Sequence, residues 1–373
     1  MTVVPDLDPN GRLFNELRTP CLVLDGPTLD RNIARMARLA RDAAIRLRPH
    51  AKTHKSVDIA ARQMEAGAAG IGCATLDEAE MLADANVRGL LLTSPVMGAD
   101  AATRLTKLNR EHGLQAVIDH PMQIEILLKA MQPEDPPFHL LVDVDVGQRR
   151  TGVASVEDGV RLALMIAAHP RLRFAGIQGF AGNAQHIPDP SDRKASAQRA
   201  AETLSRLRDE LIKEGLLPGV ITGSGTGTHK FDATGPFTEL QVGSYVFMDA
   251  DYAVIRDEED RPLPFEPSLF VLATVISANR PGEVTVDAGT KALAANGPPP
   301  AVLVGVAAGA GYRFAGDEHG IVSIAGGHPA PALGTRILLG ATHCDPTVNL
   351  HSCYHVVFDH ALLRWPIGGR YAH

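Results

Sequence analysis

The chain has 373 residues, of which 45% are hydrophobic and 21% are charged, and its formal net charge is −7. This length predicts one large domain of roughly 200–250 residues and a smaller one, and the acidic balance argues against a nucleic-acid surface. The four cysteines have no CxxC spacing, and the N-terminus carries no apolar run. We therefore expect no disulfide framework, no secretory signal, no membrane association and a cytoplasmic location.

The first elements are an apolar run at Cys21–Leu24, compatible with either domain, and a helical pattern at Thr28–Asp42. From about residue 45, β-type runs alternate with helical stripes, which is typical of parallel βα units. We expect eight strands, at Ile45–His50, Gly70–Ala74, Gly89–Ser94, Leu114–Ile118, His139–Asp145, Arg173–Gly179, Gly219–Thr222 and Glu239–Val246. Eight units predict a closed (β/α)8 TIM-type barrel, and an open doubly wound sheet is the competing architecture.

Polar residues near the carboxyl ends of these strands favour the barrel. Asp143 follows the fifth strand, Gln178 ends the sixth, and the glycine loop Gly223–Thr228 follows the seventh. Strand ends converge around one mouth only in a barrel, and active sites of barrel enzymes lie at that mouth. The sequence thus predicts an active site built from these strand ends.

After Pro264 the helical patterns stop, and β-type runs follow one another between Gly, Pro and Asn. The expected strands are Leu269–Ser277, Glu283–Asp287, Ile321–Ile324, Arg336–Leu339 and Tyr354–Phe358. This pattern is typical of an all-β domain. We therefore predict a barrel domain at residues 26–264 and a β-domain made of residues 1–25 and 265–373.

Lys52 lies in the segment Arg48–Lys55, at the end of the first predicted strand and among histidines. Removal from water and neighbouring positive charge lower the pKa of a lysine, which makes its amine a nucleophile able to bond to a carbonyl. The alternative is a solvated lysine in a basic loop beside Lys55. A second feature is therefore needed to decide between the two.

The sequence Gly-Ser-Gly-Thr-Gly-Thr at Gly223–Thr228 supplies that feature. Amides without side-chain bulk surround a phosphate well, hydroxyls donate to it, and barrel phosphate sites favour the loops after strands seven and eight. Ser244 and Tyr245, at the end of strand eight, add further donors. A flexible glycine turn and a buried strand end are the respective alternatives. Together, a lysine and a phosphate cradle favour pyridoxal 5'-phosphate as the cofactor.

Two further residues are candidates for roles beside that cofactor. Arg150 follows strand five and is placed to hydrogen-bond the phenolic oxygen of the cofactor, with a salt bridge to Asp143 or Asp145 as the alternative. His186, after strand six, has an ordinary pKa near neutrality and is a candidate general base. Its alternative role is to cap the loop around Pro188.

His343-Cys344-Asp345 lies in the predicted β-domain. In an extended backbone, His343 and Asp345 project to one face, where an imidazole and a carboxylate suit Mn²⁺ or Mg²⁺, whereas a His-x-Cys pair suits Zn²⁺. A surface histidine without a metal is the alternative. His351 and His355 are nearby candidates without a specific geometric argument.

These segments together resemble the D-threonine aldolase and D-serine dehydratase family, pyridoxal-phosphate enzymes with an alanine-racemase-type barrel. The resemblance runs from Thr19 to Pro366. Its most specific motifs are PHAKTHK at Pro49–Lys55, GSGTGT at Gly223–Thr228, TELQVGSYVFMDADY at Thr238–Tyr252, VDAGTKA at Val286–Ala292, DEHG at Asp317–Gly320 and HCDPTVNLH at His343–His351.

The resemblance implies a role for each candidate residue. Lys52 bonds to the cofactor aldehyde, and His343 with Asp345 binds the divalent ion. The cofactor site is completed by Arg150, Gln178, Gly225, Thr226, Gly227, Ser244 and Tyr245. In this family, the aldolases carry His-x-Asp and use Mn²⁺ or similar ions. The dehydratases tend to carry His-x-Cys and use zinc. With Asp345, this chain resembles the aldolase branch.

The implied reaction is cleavage of the Cα–Cβ bond of a D-3-hydroxy amino acid to glycine and an aldehyde, with His186 or a metal-held hydroxide removing the hydroxyl proton. The alternatives are a dehydratase acting on D-serine or 3-hydroxyaspartate, an amino-acid racemase, and a pyridoxal-phosphate-binding protein without turnover. A homodimer is compatible with the architecture, and a partner chain would then bring Asp317 or His319 near the site. The sequence offers no geometric role for Asp287, Lys291 or Glu318.

Three positions depart from the family pattern. Phe180 stands where relatives commonly have tyrosine, Ala181 where they often have a polar residue, and Ser352 where aldolase relatives often carry aspartate. The missing phenol makes that wall apolar and predicts a preference for bulky or aromatic β-substituents.

Overall fold

A computed structural model of the protein describes residues 7–359 and 361–371. The described residues divide into two compact units. One unit contains those within Met1–Arg35 and Ser244–Ile367, and the other contains those within Met36–Gly243 and Gly368–His373. The domain limits expected from the sequence, 26–264 with a β-domain of 1–25 and 265–373, stay a prediction about folding domains.

The chain begins with strand β1 (Cys21–Asp25) and helix α1 (Gly26–Asp42). Eight short parallel strands follow: β2 (Arg46–Leu47), β3 (Gly72–Cys73), β4 (Leu91–Leu92), β5 (Gln115–Ile118), β6 (Phe138–Asp143), β7 (Leu172–Gly179), β8 (Val220–Gly223) and β9 (Glu239–Leu240). Between and after them lie α2 (Val57–Glu65), α3 (Leu76–Asp84), α4 (Ala99–His112), α5 (Pro121–Ala130), α6 (Val156–Ala168), α7 (Pro190–Lys213) and α8 (His229–Asp232). Side-chain caps begin several of these helices, because the first backbone amides of a helix lack partners. Thr75, Ser155 and Asp189 accept such bonds.

The eight strands pair in chain order, from β3 to β9, and β9 pairs with β2. A parallel bridge between His50 and Gly72 joins the first strand segment to β3, so the sheet closes on itself. The predicted (β/α)8 barrel is confirmed, and the open doubly wound sheet is wrong. Leu91, Val117 and Leu141, on three adjacent strands, form one almost fully buried apolar cluster.

A buried ion pair supports the closure of the barrel. The guanidinium of Arg48 donates to both carboxylate oxygens of Glu239 at 2.7 and 3.0 Å, and the two side chains are 7% and 0% exposed. Thr222 Oγ1 also donates to Glu239, at 3.0 Å. The carboxylate is therefore paired on both oxygens, which compensates for its removal from water.

Glu239→Ala is expected to lower the free energy of unfolding by about 3–5 kcal/mol, because it leaves the buried charge of Arg48 uncompensated. Chemical denaturation of the protein measures this. Glu210→Ala is the matched control, since the Glu210–Lys213 pair is exposed and contributes at most about 1 kcal/mol. Equal effects of the two variants would contradict the role given to Glu239.

The first unit contains short helices α9 (Ala250–Ala253) and α10 (Cys344–Asn349) and a nine-stranded sheet. Its strands after β1 are β10 (Leu269–Arg280), β11 (Glu283–Val286), β12 (Ala301–Val304), β13 (Gly311–Phe314), β14 (Gly320–Ser323), β15 (Arg336–Gly340), β16 (Cys353–Phe358) and β17 (Ala361–Pro366). β1 lies between β10 and β16, so the run at Cys21–Leu24 belongs to the β-rich unit. Strands β12, β13 and β17 were absent from the sequence expectation.

Two local expectations are corrected. The eighth barrel strand ends at Leu240 instead of Val246, and Ser244–Val246 forms a 3-10 helix. The segment at His343 is not a continuous strand. His343 is extended, but Cys344 begins α10, so Asp345 lies in the first turn of a helix. Pro346 fits there, because the first turn does not use its missing amide hydrogen.

Within residues 7–359 and 361–371, no helix is long and apolar enough to cross a bilayer. The four cysteines are free thiols, as expected from their spacing, and Cys21, Cys73 and Cys344 are buried.

Candidate active site

Lys52 lies on a 3-10 helix, Ala51–Thr53, that directly follows the first barrel strand segment. The ring of His50 fixes this turn, because its Nδ1 accepts from the Lys52 amide at 3.2 Å while its Nε2 lies 2.9 Å from Thr93 Oγ1. The half-buried Lys52 side chain therefore extends from a rigid backbone. Lys52 thus lies just after the first barrel strand, and its predicted reactivity stays a prediction.

Lys55, the other lysine of this segment, is held differently. Its amine lies 2.5 Å from Glu78 Oε1, and its side chain is 11% exposed while Glu78 is fully buried. The Lys55 amine is thus occupied by an ion pair with a buried carboxylate. This ion pair gives Lys55 a structural role, and the nucleophilic role of Lys52 stays a prediction.

The glycine loop Gly223–Thr228 follows β8 and is buried throughout, with Ser224, Thr226 and Thr228 at most 2% exposed. Not all of its donors face a ligand. The Thr228 hydroxyl donates to Asp232 and accepts from Gln185, and the Gly227 amide donates to Gln185 Oε1 at 3.0 Å. The loop is thus rigidly held, and the Thr228 hydroxyl is used inside the protein.

Thr53 provides a test of whether a phosphorylated aldehyde fits this part of the barrel. Its hydroxyl is buried and, among the described residues, has no hydrogen-bond partner. A Cβ on Gly243 would lie only 2.7 Å from this oxygen, so the glycine leaves room around it. A buried hydroxyl without a partner is costly in an apolar setting, and a bound polar ligand removes that cost. The residues around Lys52 therefore fit pyridoxal phosphate.

Gln178 is part of a buried polar chain inside the barrel. Its amide nitrogen donates to Asp143 Oδ1 and to the Thr93 carbonyl, both at 2.9 Å, and its oxygen accepts from Gln241 at 3.0 Å. Both amide hydrogens are thus used by protein groups. Gln178 fixes the position of the Asp143 carboxylate, which was not assigned a role from the sequence.

Burial raises the pKa of Asp143 from 3.8 to about 6, although hydrogen bonds from Gln178 and Thr151 act in the opposite direction. An acid whose pKa is raised by folding holds its proton more tightly in the folded state. Its contribution therefore favours folding at low pH and is lost as pH rises through the window between about 4 and 6.

Asp143→Asn is expected to remove this contribution. The free energy of unfolding of the variant will fall less steeply with pH between about 4 and 6, by up to about 1.4 kcal/mol per pH unit. Denaturant titrations across this window measure the slope. Asp84→Asn, at an exposed carboxyl on α3, is the comparison variant. An unchanged slope for Asp143→Asn would contradict the assignment.

Arg150 is exposed, and its guanidinium lies 5.7 Å from the centre of the Phe180 ring. Asp145 is used differently, because its Oδ1 accepts from the amides of Gly147 and Arg149 at 2.9 Å. The positive charge of Arg150 lowers the pKa of Asp143, without a direct ion pair among the described contacts. Phe180, where the sequence departs from the family pattern, thus contacts the arginine.

Phe180→Leu is expected to weaken cofactor binding by about two- to fivefold, because an exposed cation–π contact contributes about 0.5–1 kcal/mol. Phe180→Tyr keeps an aromatic face and is expected to bind the cofactor as the parent does. Titration of the apo-protein with pyridoxal phosphate measures both dissociation constants. Equal constants for leucine and tyrosine would show that the ring contact does not position Arg150.

His186 and Gln185 are neighbours with different environments. His186 is exposed after the 3-10 helix Gly182–Ala184, and its role as a general base stays a prediction. Gln185 is 2% exposed and contacts the glycine loop, a role that its sequence position did not indicate. Ser244 and Tyr245 are buried in the other unit, and their predicted contact with phosphate also stays a prediction.

His343 and Asp345 lie at the start of α10, in the β-rich unit. His343 Nδ1 is 3.0 Å from the side-chain nitrogen of Asn296. A third group missed from the sequence is Asp249, whose carboxylate accepts from the Cys344 amide at 2.9 Å and the Tyr252 amide at 3.1 Å. Its position in the motif Thr238–Tyr252 was the only sequence signal.

Burial, with a smaller contribution from Asp345, raises the pKa of Asp249 to about 6, although hydrogen bonds from the Cys344 and Tyr252 amides and the charge of His343 act in the opposite direction. The three side chains therefore interact electrostatically. In the part of the chain that the structure describes, no group of three or more His, Cys, Asp or Glu side chains is arranged to hold a metal ion. The imidazole and carboxylate of His343 and Asp345 nevertheless suit a divalent ion whose other ligands are water or substrate.

The other two histidines considered are held elsewhere. His351 Nε2 lies 2.9 Å from the Ala292 carbonyl. His355 is on β16, and burial and the nearby Arg364 lower its pKa. Asp287 also has a structural role, because it accepts from the hydroxyl of Thr19 and the amide of Thr274.

Comparison with known protein families places both parts of the chain. The alanine racemase N-terminal domain family matches residues 24–251, and the family of the serine dehydratase domain matches residues 268–357. The D-threonine aldolase of Arthrobacter sp. is 39% identical over 91% of this chain and 89% of its own. The 3-hydroxy-D-aspartate aldolase of Paracoccus denitrificans is 36% identical over 95% of this chain and 93% of its own.

Solved structures agree with these relatives. D-threonine aldolase from Filomicrobium marinum superposes with a TM-score of 0.90 and 36% identity, over 94% of this chain and 95% of that one. A mutant of D-threo-3-hydroxyaspartate dehydratase, in a metal-free form, superposes with a TM-score of 0.79 and 28% identity. The match covers 94% of this chain and 97% of that one. The aldolases are thus more similar to this chain than the dehydratase is.

Proposed function

Because this chain belongs to the family of pyridoxal-phosphate enzymes that contains D-threonine aldolase and 3-hydroxy-D-aspartate aldolase, we propose that it cleaves D-3-hydroxy amino acids to glycine and an aldehyde. It is a carbon–carbon lyase. The substrates we propose are D-threonine, D-phenylserine and 3-hydroxy-D-aspartate, and the apolar ring of Phe180 supports a preference for bulky or aromatic β-substituents.

The observation that carries the aldolase assignment is Asp345 one residue after Cys344 and two after His343, at a helix start held by Asp249. A carboxylate at this position favours a hard ion, Mn²⁺ or Mg²⁺, over Zn²⁺. We propose that His343 and Asp345 bind such an ion. When bound there, the ion would supply a Lewis acid that makes the β-hydroxyl of the substrate easier to deprotonate.

The remaining residues bind, orient and move protons. Pyridoxal phosphate supplies an aldehyde that bonds to amines and a ring that accepts an electron pair. Lys52 holds that aldehyde until substrate arrives, and Gly225 and Thr226 contribute loop amides to the phosphate. Arg150 orients the phenolic oxygen, and we assign to His186 the removal of the hydroxyl proton at its ring nitrogen. Ser244 and Tyr245 add donors to the phosphate in this proposal.

We propose a substrate of the D configuration because the similar aldolases named above are D-threonine aldolase and 3-hydroxy-D-aspartate aldolase. We propose a homodimer in the cytoplasm as the working state.

Product analysis tests the function. The protein is first loaded with pyridoxal phosphate. It is then mixed separately with D-threonine, D-phenylserine, 3-hydroxy-D-aspartate and D-serine, each in the presence of Mn²⁺ or of a chelator. Glycine and an aldehyde that disappear with chelator are expected. Ammonia and a keto acid would instead indicate the dehydratase, which is the second candidate because the family model matching residues 268–357 is that of a serine dehydratase domain. Turnover of D-alanine to L-alanine without metal would indicate the racemase.

A further inference from the structure

We propose that Gln185 is the positioning residue of the phosphate loop, and that the enzyme's preference for a phosphorylated cofactor depends on its side-chain amide. This inference rests on the proposed function, because it requires that Gly223–Thr228 binds the cofactor phosphate. It assigns a role to a residue that would not itself touch the cofactor.

The first observation is the set of hydrogen bonds made by the Gln185 amide, which is 2% exposed. Its nitrogen donates to the Ala181 carbonyl at 3.1 Å and to Thr228 Oγ1 at 2.9 Å. Its oxygen accepts from the Gly227 amide at 3.0 Å. Every polar atom of this side chain is therefore used, and two of the three bonds end on the glycine loop.

The second observation concerns the two loop glycines. A Cβ on Gly225 would overlap the side-chain amide of Gln185, and a Cβ on Gly227 would overlap its backbone carbonyl. Neither glycine has a φ in the left-handed region, where only glycine is comfortable, whereas Ser224 has a φ of 76°. The glycines at 225 and 227 are thus required by the space that Gln185 occupies.

The third observation is the anchor on the far side of the loop. The Thr228 hydroxyl accepts from Gln185 and donates to Asp232, a carboxyl whose pKa burial raises to about 6. Gln185 and Asp232 therefore hold Thr228 from two sides. A loop fixed before the ligand arrives loses less conformational entropy on binding, so its amides bind phosphate more tightly.

The test compares pyridoxal phosphate with pyridoxal, which has the aldehyde and no phosphate. The parent protein is expected to bind the phosphorylated form more tightly. Gln185→Met keeps the length of the side chain and loses its hydrogen bonds, so it should weaken pyridoxal phosphate binding by about tenfold. Pyridoxal binding should stay unchanged. Asn109→Leu is the matched control, because it removes the hydrogen bond from the Asn109 side-chain amide on α4 to the Pro136 carbonyl. It should leave the ratio of the two dissociation constants unchanged.

A second measurement uses the apo-protein and no cofactor. Amide hydrogen exchange of Gly225 through Thr228 should accelerate in Gln185→Met and not in Asn109→Leu. Unchanged amide exchange rates in Gln185→Met would overturn the proposal, even if the ratio of the pyridoxal and pyridoxal phosphate dissociation constants changes.

A double-mutant cycle tests the steric argument. Gly225→Ala should weaken cofactor binding strongly in the parent protein and much less in Gln185→Ala, because the obstacle is then gone. Gly227→Ala should be equally harmful in both backgrounds, because its obstacle is the backbone of residue 185. Additive effects at Gly225 would overturn the proposal.

The outcomes separate this inference from the proposed function. One outcome is that the parent protein and Gln185→Met show the same preference for pyridoxal phosphate over pyridoxal. That result contradicts only the role of Gln185. A parent protein that binds both molecules equally contradicts the phosphate site itself, and this inference with it.

Discussion

Lys52→Ala is expected to reduce aldol cleavage by about a thousandfold or more, because it removes the amine that we propose bonds to the cofactor aldehyde. The covalent link is measured independently of turnover. After borohydride reduction, peptide mass spectrometry should locate the cofactor on Lys52 in the parent protein and on no peptide of the variant. The absorbance of the protein-bound cofactor should also change to that of the unlinked aldehyde.

Lys55→Met is the neighbouring control. The Lys55 amine is 2.5 Å from Glu78, so this variant disturbs a buried ion pair without removing the reactive amine. It should lose stability and retain the covalent link at Lys52. Label on Lys55 in the parent protein, or a link that persists in Lys52→Ala, would show that the assignment of the reactive lysine is wrong.

His343→Ala and Asp345→Ala are each expected to lower Mn²⁺ affinity by more than about a hundredfold, because each removes a proposed direct ligand of the ion and not merely a supporting contact. Aldol cleavage at limiting Mn²⁺ should fall in parallel and recover in part at high concentration. Calorimetric titration of the protein with Mn²⁺ gives the affinity directly. A charge-only change, Asp345→Asn, should have the same direction of effect.

Two variants sharpen this result. His328→Ala removes an exposed histidine of the same unit and should leave Mn²⁺ affinity unchanged. Asp345→Cys converts the pair to His-x-Cys and should shift the preference from Mn²⁺ towards Zn²⁺, because thiolate is the softer ligand. Unchanged Mn²⁺ binding in His343→Ala would place the ion elsewhere.

The barrel was predictable because its strands are buried apolar runs separated by helical stripes, and this pattern depends only on local sequence. The positions at which the strands end were less predictable. The strand expected at Glu239–Val246 ends at Leu240, and the sequence does not mark where its pairing with β2 and β8 stops. Short strands among glycines and prolines, such as β12, carry too few residues to show alternation.

The site shows the same division between local and distant causes. Lys52 and the glycine loop were recognisable, because each is a short motif with its own chemistry. The helix at Cys344 was missed because the carboxylate that accepts from its first amide, Asp249, lies 95 residues earlier in the chain. Gln185 was missed for a similar reason, since its partner Gly227 is 42 residues away.

The barrel closes where its first strand meets its last, and Lys52 follows that first strand. The Arg48 amide donates to the Leu240 carbonyl at 2.9 Å and the His50 amide donates to Val242 at 3.0 Å, so the backbone leading to the lysine is completed by residues almost two hundred positions later. During synthesis from the N-terminus, a ribosome-bound chain that ends before β9 therefore lacks the partner that shapes this turn. If Lys52 bonds to the cofactor as proposed, cofactor binding therefore requires that β9 has already been synthesised and has paired with the first strand.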